Sequence, residues 1–261
     1  MRLTDVSWVK VEEYFNANDL VILATGSIES HGRHNPLGTD LLIPNKILDL
    51  IEEQCDALIV PTMPFGATDD LTSYPGTISI GPELTYQVMR SITDSLAEHG
   101  ARRFIVVNGH GGNSWPLDKL SLELHRRGMW MAVFNWWITA GQLNPEWAGG
   151  HGDFEETSAI MGINPRLVDA ALLSDDGVLH DVSDALPTDG FDYVRFKNAT
   201  VRFFRDTRAY ALNGWMGKKH PNTSSEETGK AMLQATADYI TEFIGEFKKA
   251  ELPPIRERGN R

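Results

Sequence analysis

A chain of 261 residues with 41% hydrophobic and 23% charged side chains can bury a sizeable core, and one α/β domain over 1–261 is the expectation. Its 36 acidic and 24 basic residues give a formal charge of −12, which repels nucleic-acid phosphates and anionic membrane surfaces, so neither is an expected partner. No apolar run approaches the ~20 residues of a membrane span, and the single cysteine, Cys55, excludes an internal disulfide and a Cys-rich zinc site.

The first residues, MRLTDVSWVKVEEYF, carry acids where a signal peptide has its apolar core, so the expected compartment is the cytoplasm. Residues 19–24 (DLVILA) read as a buried strand closed by Gly26. A Gly-, His- and Asn-rich loop follows, then a helix over 41–54 that takes Pro44 in its first turn and buries Cys55 as an inert thiol at its end. Residues 57–60 form a second strand. The stretch 61–76, with three prolines among Thr, Asp and Gly, is a long loop of the kind that usually carries function. A short strand is expected at 77–80 and a helix from Pro82 to His99, stopped by Gly100.

Residues 103–107 (RFIVV) are a strand that delivers Asn108-Gly109-His110-Gly111-Gly112-Asn113. A helix over 116–127 and an aromatic strand over 129–137 come next. A loop then leads to Gly149-Gly150-His151 and to a helix through Glu155 to Met161, with Asp153 as its N-cap. Residues 193–205 alternate as a hairpin turning near Asn198, and the last helix, 224–249, opens with the capping-box spacing Ser224-x-x-Glu227. Strands alternating with helices over the first 160 residues predict a three-layer α/β/α sandwich around a mostly parallel sheet.

In such a sheet ligands bind beyond the carboxyl ends of the strands, and that is where the polar residues fall. Glu29 and His31 follow the first strand, Asp40 closes that loop, His110 follows the 103–107 strand, and His151 follows the aromatic one. Glu-x-His puts two ligands on one side of an extended segment. Carboxylate oxygen and imidazole nitrogen suit Zn²⁺ or Mn²⁺, with Fe²⁺ also accepted, and a carboxylate such as Asp40 can bridge two cations. Asn108 and Asn113 are placed to hold their loop by side-chain hydrogen bonds. Each feature alone reads more simply. Glu-x-His is usually a solvated pair, His110 an ordinary turn histidine, and His34, His99, His125 and His180 surface residues. NGHGGN fits neither glycine-rich phosphate loop. The convergence of several such segments on one sheet edge favours a metal centre.

Together GSIESHGRHNPLGTD at 26–40, NGHGGN at 108–113 and GGHGDFEETS at 149–158 resemble the creatininase (creatinine amidohydrolase) family. The resemblance implies a creatininase-like fold and a metal-dependent hydrolase of the amidohydrolase type, with two divalent ions per chain held by Glu29, His31, Asp40, His110 and Glu156. Asp40 would be the bridge and a shared hydroxide the nucleophile. It implies His151 for proton transfer, Trp147 lining the substrate pocket with Trp137 beside it, a small-molecule substrate such as a cyclic amide, and a homohexamer.

Three departures stand out. A glutamate that ligates metal in creatininase is Gly112 here, an acid before the histidine is Gly150, and Lys219-His220-Pro221 stands where many members have Gly-Asp-Pro. Creatinine is therefore not the expected substrate. Arg33, Asn35 and the 61–76 loop suggest a pocket richer in hydrogen bonds. Two other functions compete: a carbon–carbon hydrolase opening an inositol-derived cyclic diketone, and a non-catalytic metal or small-molecule binding protein on the same scaffold.

Overall fold

The computed structural model describes residues 1–174 and 176–255; the last residues of the expected 1–261 domain, 256–261, lie outside them. Four parallel strands form the central sheet in the order β2-β1-β3-β4: β1 (Leu20–Thr25), β2 (Leu58–Ile59), β3 (Arg103–Asn108) and β4 (Trp130–Asn135). Both β1 and β3 are buried along their whole length, as near-continuous apolar runs in a covered parallel sheet should be.

Alternation along these strands splits the core in two. Leu20, Ile22, Ala24, Ile105 and Val107 face α2 (Thr39–Glu52), α6 (Phe154–Ile163) and α7 (Glu226–Phe247). Val21, Leu23, Phe104 and Val106 face α1 (Trp8–Phe15), α3 (Gly81–Glu98) and α4 (Ser114–Arg126). The result is the three-layer α/β/α sandwich. Among the described residues no helix is long and apolar enough to cross a membrane.

Several boundaries differ from expectation. The aromatic strand stops at Asn135, and Trp136–Leu143 is a helix, α5. The run NWWITA is apolar at nearly every position, so neither period is visible in it. Residues 77–80 make only single bridges, Ile28 to Ile78 and Gly66 to Ser79. The last helix is capped by Ser225, which accepts the Thr228 N–H at 3.1 Å, while Ser224 Oγ donates to the Phe154 carbonyl. α1 carries no signal that singled it out. The hairpin is present as β5 (Tyr193–Phe196) and β6 (Ala199–Arg202), turning at Lys197 and Asn198. Cys55 is half-buried, and burial pushes its thiol pKa up, which keeps it protonated.

Candidate active site

The strand ends deliver their polar residues to one point. Glu29 and His31 lie in the loop after β1, Asp40 in the first turn of α2, His110 just beyond β3, His151 ahead of α6, and Glu156 in the first turn of α6. Asp40 and Glu156 thus sit at helix N-termini, where the macrodipole favours negative charge. α6 starts there because Asp153 caps it, accepting the Glu155 N–H at 2.9 Å. Pro44 offers no N–H to the Asp40 carbonyl four residues before it. The backbones of Gly26 and Gly109 press against that carbonyl; a Cβ at Gly26 would lie 2.6 Å from the oxygen.

The donor atoms are close. His31 Nε2 lies 2.9 Å from Asp40 Oδ1, 3.6 Å from Glu156 Oε2 and 3.8 Å from Glu29 Oε1. His110 Nδ1 lies 3.1 Å from both Glu29 Oε2 and Asp40 Oδ2. Yet Glu29 Oε2, His31 Nε2 and Asp40 Oδ2 are buried with no hydrogen-bond partner, because the lengths fit and the angles do not. Buried oxygens and ring nitrogens that crowd together without bonding one another leave a place for a shared cation. Among the described residues three groups of donors have that spacing: Glu29, Asp40 and His110; His31, Asp40 and Glu156; Glu29, His31 and His151.

Neighbouring groups orient these side chains. His110 Nε2 bonds the Ala67 carbonyl at 2.9 Å, which turns Nδ1 toward the carboxylates. Asn108 donates to the His110 carbonyl and to Asn135, and Asn113 takes the Ala67 N–H and donates to the Gly26 carbonyl. The two asparagines tie the loop as expected. Glu156 Oε2 accepts the Gly152 N–H at 2.6 Å, whereas Glu155, its neighbour one helical step away, accepts from Gly149. His151 Nε2 bonds the Ser30 carbonyl at 2.7 Å, and its ring lies 4.4 Å from that of His31 and 5.5 Å from that of Phe191.

Charge is distributed to match. Burial opposes ionisation of His31, but Asp40 and then Glu156 push its pKa up to about 10. His110 is likewise raised against its burial by Glu29 and Asp40. Burial works against ionised Asp40 as well, and His31 and His110 still draw it down to about 2; Glu29 is lowered mainly by His110. Burial holds Glu156 up at about 8 and Glu155 at about 9. Burial and then His31 hold His151 down at about 3, so its ring is neutral rather than poised near pH 7.

The cluster opens into a cavity of about 680 Å³, room for a small organic molecule. Its wall includes Glu29, His31, Asp40, His110, His151, Glu156 and Trp137. Trp147 lies elsewhere, in a shallower depression with Phe154 and Lys219. Arg33 and Asn35 are also absent from the wall. Asn35 and His34, both buried, bond Thr157 Oγ1 and so brace α6; His34 is not the surface histidine its context suggested. Of the 61–76 loop, Ala67, Asp69 and Asp70 reach the cavity. Asp192, Arg202, Phe191 and Phe204 of the hairpin region also line it, as does Trp115. Nothing in their spacing marked them, since an alternating hairpin reads as an exposed ribbon.

A carboxylate–imidazole cluster at the carboxyl edge of a parallel sheet, lining an open cavity, fits a hydrolytic enzyme. The creatininase family, described as creatinine amidohydrolase, matches residues 4–244, and the chain belongs to it. It is 28% identical to the creatinine amidohydrolase of Pseudomonas putida over 96% of both chains. It is 30% identical to the mycofactocin precursor peptide peptidase of Mycolicibacterium smegmatis over 56% of this chain and 58% of the relative. A manganese form of creatininase superposes with a TM-score of 0.74 at 26% identity, covering 95% of this chain and 99% of that one. A Zn–Zn form superposes with a TM-score of 0.73 at 26% identity, covering 95% and 98%.

Proposed function

We propose that this chain is a dinuclear metal-dependent hydrolase of a cyclic amide or another small carbonyl compound. Glu29, Asp40 and His110 would hold one divalent ion, Zn²⁺ or Mn²⁺, and His31, Asp40 and Glu156 the other. The observation that carries this is the pair of donor groups sharing Asp40, in which Glu29 Oε2, His31 Nε2 and Asp40 Oδ2 are buried with no hydrogen-bond partner among the described residues. Two ions bound there would acidify a water and polarise a carbonyl.

The chain's own residues supply the rest. Asp40 presents one oxygen to each histidine, so it alone belongs to both groups. Its neighbour His151 has Nε2 committed to the Ser30 carbonyl, which leaves Nδ1, 3.9 Å from Glu29 Oε1, free to take a proton and pass it to a leaving group. The rings of His31 and Phe191 on either side keep it from turning. Trp137 offers a flat apolar wall. The reading extends to one domain over 1–261 acting as a cytoplasmic homohexamer on a small molecule.

Elemental analysis of the purified protein, followed by a panel of lactams, formamides and cyclic diketones, tests it. About two divalent ions per chain and hydrolysis that stops on chelation are the expected results. Full activity in the metal-free protein refutes it, and turnover of the diketones alone would move the chemistry to carbon–carbon cleavage.

A further inference from the structure

Beyond the metal-binding cluster, the cavity carries a second polar feature, on the hairpin side. Asp192 is 94% buried, being 6% exposed, yet its Oδ1 has no hydrogen-bond partner although the residue forms part of the cavity wall. Its backbone has φ 62°, the left-handed region that asparagine and aspartate enter far more readily than other non-glycine residues. Two bonds hold it there. The Asp192 N–H donates to Tyr210 Oη at 3.3 Å, and the Asp192 carbonyl accepts the Phe203 N–H at 2.7 Å. A buried acid with an unpartnered acceptor in a cavity wall is the kind of exception that a ligand contact accounts for.

Asp70 lines the same wall, its Oδ2 accepting from Thr207 Oγ1 at 3.0 Å. Burial raises both carboxyl pKa values, Asp192 to about 6, and the Asp70 charge adds to the rise at Asp192. The charges of Arg202 and Arg205 offset that of Asp192 only in part, since burial and Asp70 still leave its pKa raised. Arg202 Nη2 is 3.7 Å from Asp192 Oδ2 and the arginine side chain is 66% exposed, so the contact is long and largely screened. Phe191, one residue before Asp192, packs on His151, so this wall adjoins the proton-carrying histidine.

We propose that Asp192, supported by Asp70, is a specificity-determining subsite that receives a protonated nitrogen carried by a part of the substrate other than the carbonyl that is hydrolysed. A cationic N–H donor would give Asp192 Oδ1 the partner it lacks and supply the counter-charge that two carboxylates in one wall call for. The inference rests on the hydrolase reading for the position of the carbonyl.

The test is calorimetric binding of three probes to the metal-loaded protein: pyrrolidin-2-one, its 5-aminomethyl derivative and its 5-carboxyl derivative. The aminomethyl lactam should bind about ten-fold or more tighter than the parent, and the carboxyl lactam more weakly. In Asp192→Asn, which keeps the left-handed backbone accessible, the preference for the amine should collapse, and Asp70→Asn should reduce it. Metal content and circular dichroism of each sample are measured alongside. A preference for the carboxyl lactam, which would assign the wall to Arg202, overturns the proposal. So do equal binding of all three, no binding by any, or an amine preference that survives Asp192→Asn. Loss of the hydrolase reading is separately visible as a wild-type sample that retains no metal.

Discussion

Gly112→Ala probes why this loop carries glycine where creatininase carries a ligating glutamate. A Cβ at Gly112 would overlap the Ala67 carbonyl oxygen and lie 2.6 Å from His110 Nε2. That carbonyl is the group that His110 Nε2 bonds at 2.9 Å. To restore ordinary contact the carbonyl must retreat by about 1 Å or more, beyond the ~3.5 Å at which the bond is lost. The ring nitrogen is then buried and unsatisfied, at a cost of about 1–3 kcal/mol. His110 Nδ1, 3.1 Å from Glu29 and Asp40, loses the anchor that aims it. Losing such an outer partner typically costs about 10–100-fold in metal affinity, and that is the expected drop, read by competition with a chromophoric chelator. Gly111→Ala is the matched control, because a Cβ there meets only Trp137 Cζ2 at 4.0 Å. Wild-type affinity in Gly112→Ala, or an equal loss in Gly111→Ala, would refute the reasoning.

Asp40→Ala should remove both metals, since Asp40 belongs to both donor groups, whereas His31→Ala should spare more of the metal; elemental analysis that finds equal loss in the two argues against a shared carboxylate. His151→Ala should retain metal and lower turnover by roughly 10²–10⁴-fold, the range for a proton-transfer group; turnover within a few-fold of wild type excludes it from proton transfer. Metal uptake should release protons. The pKa of His31, about 10, and of His110 lie above the ordinary histidine value, so both rings are protonated at neutral pH in the ion-free chain and must give up a proton to bind. Apparent affinity therefore rises with pH up to that range, and calorimetry in buffers of different ionisation enthalpy that detects no proton release contradicts this.

The layers of the fold were legible because they rest on periodicity and on strand-end position. Residues 20–24 and 104–107 are apolar throughout and flanked by glycine or polar residues, which a strand buried on both faces requires. Trp136–Leu143 was not legible for a different reason: its aromatic and apolar start, WWI, continues the strand before it without a turn signal, so no change of period marks the boundary. The candidate metal ligands stood out through motif and position, and the structure brings the side chains of Glu29, His31, Asp40, His110, His151 and Glu156 together in groups that could hold a metal ion. Trp147, four residues before His151, lines a separate depression together with Phe154 and Lys219.

Substrate recognition was the least legible part, because the residues facing the metal-binding cluster come from segments with no fixed spacing to it. Asp70 lies in an irregular loop and Asp192 more than a hundred residues later, beside a hairpin whose other side chains are mostly exposed. Only the fold shows that they share a wall. Gly112 illustrates the same point from within a motif. As a sequence it is a deletion, a ligand replaced by nothing. In the structure the space is taken: the Ala67 carbonyl enters where a side chain would be and bonds the imidazole of His110. The glutamate could not be restored by a single substitution without expelling that carbonyl. What reads as a weakened metal site is thus one in which a backbone acceptor anchors His110, and the freed side of the cavity is left to the loop that carries Asp69 and Asp70. The path of the 66–70 backbone thus sets two features at once: the missing side chain at position 112 and the place of Asp69 and Asp70 in the cavity wall.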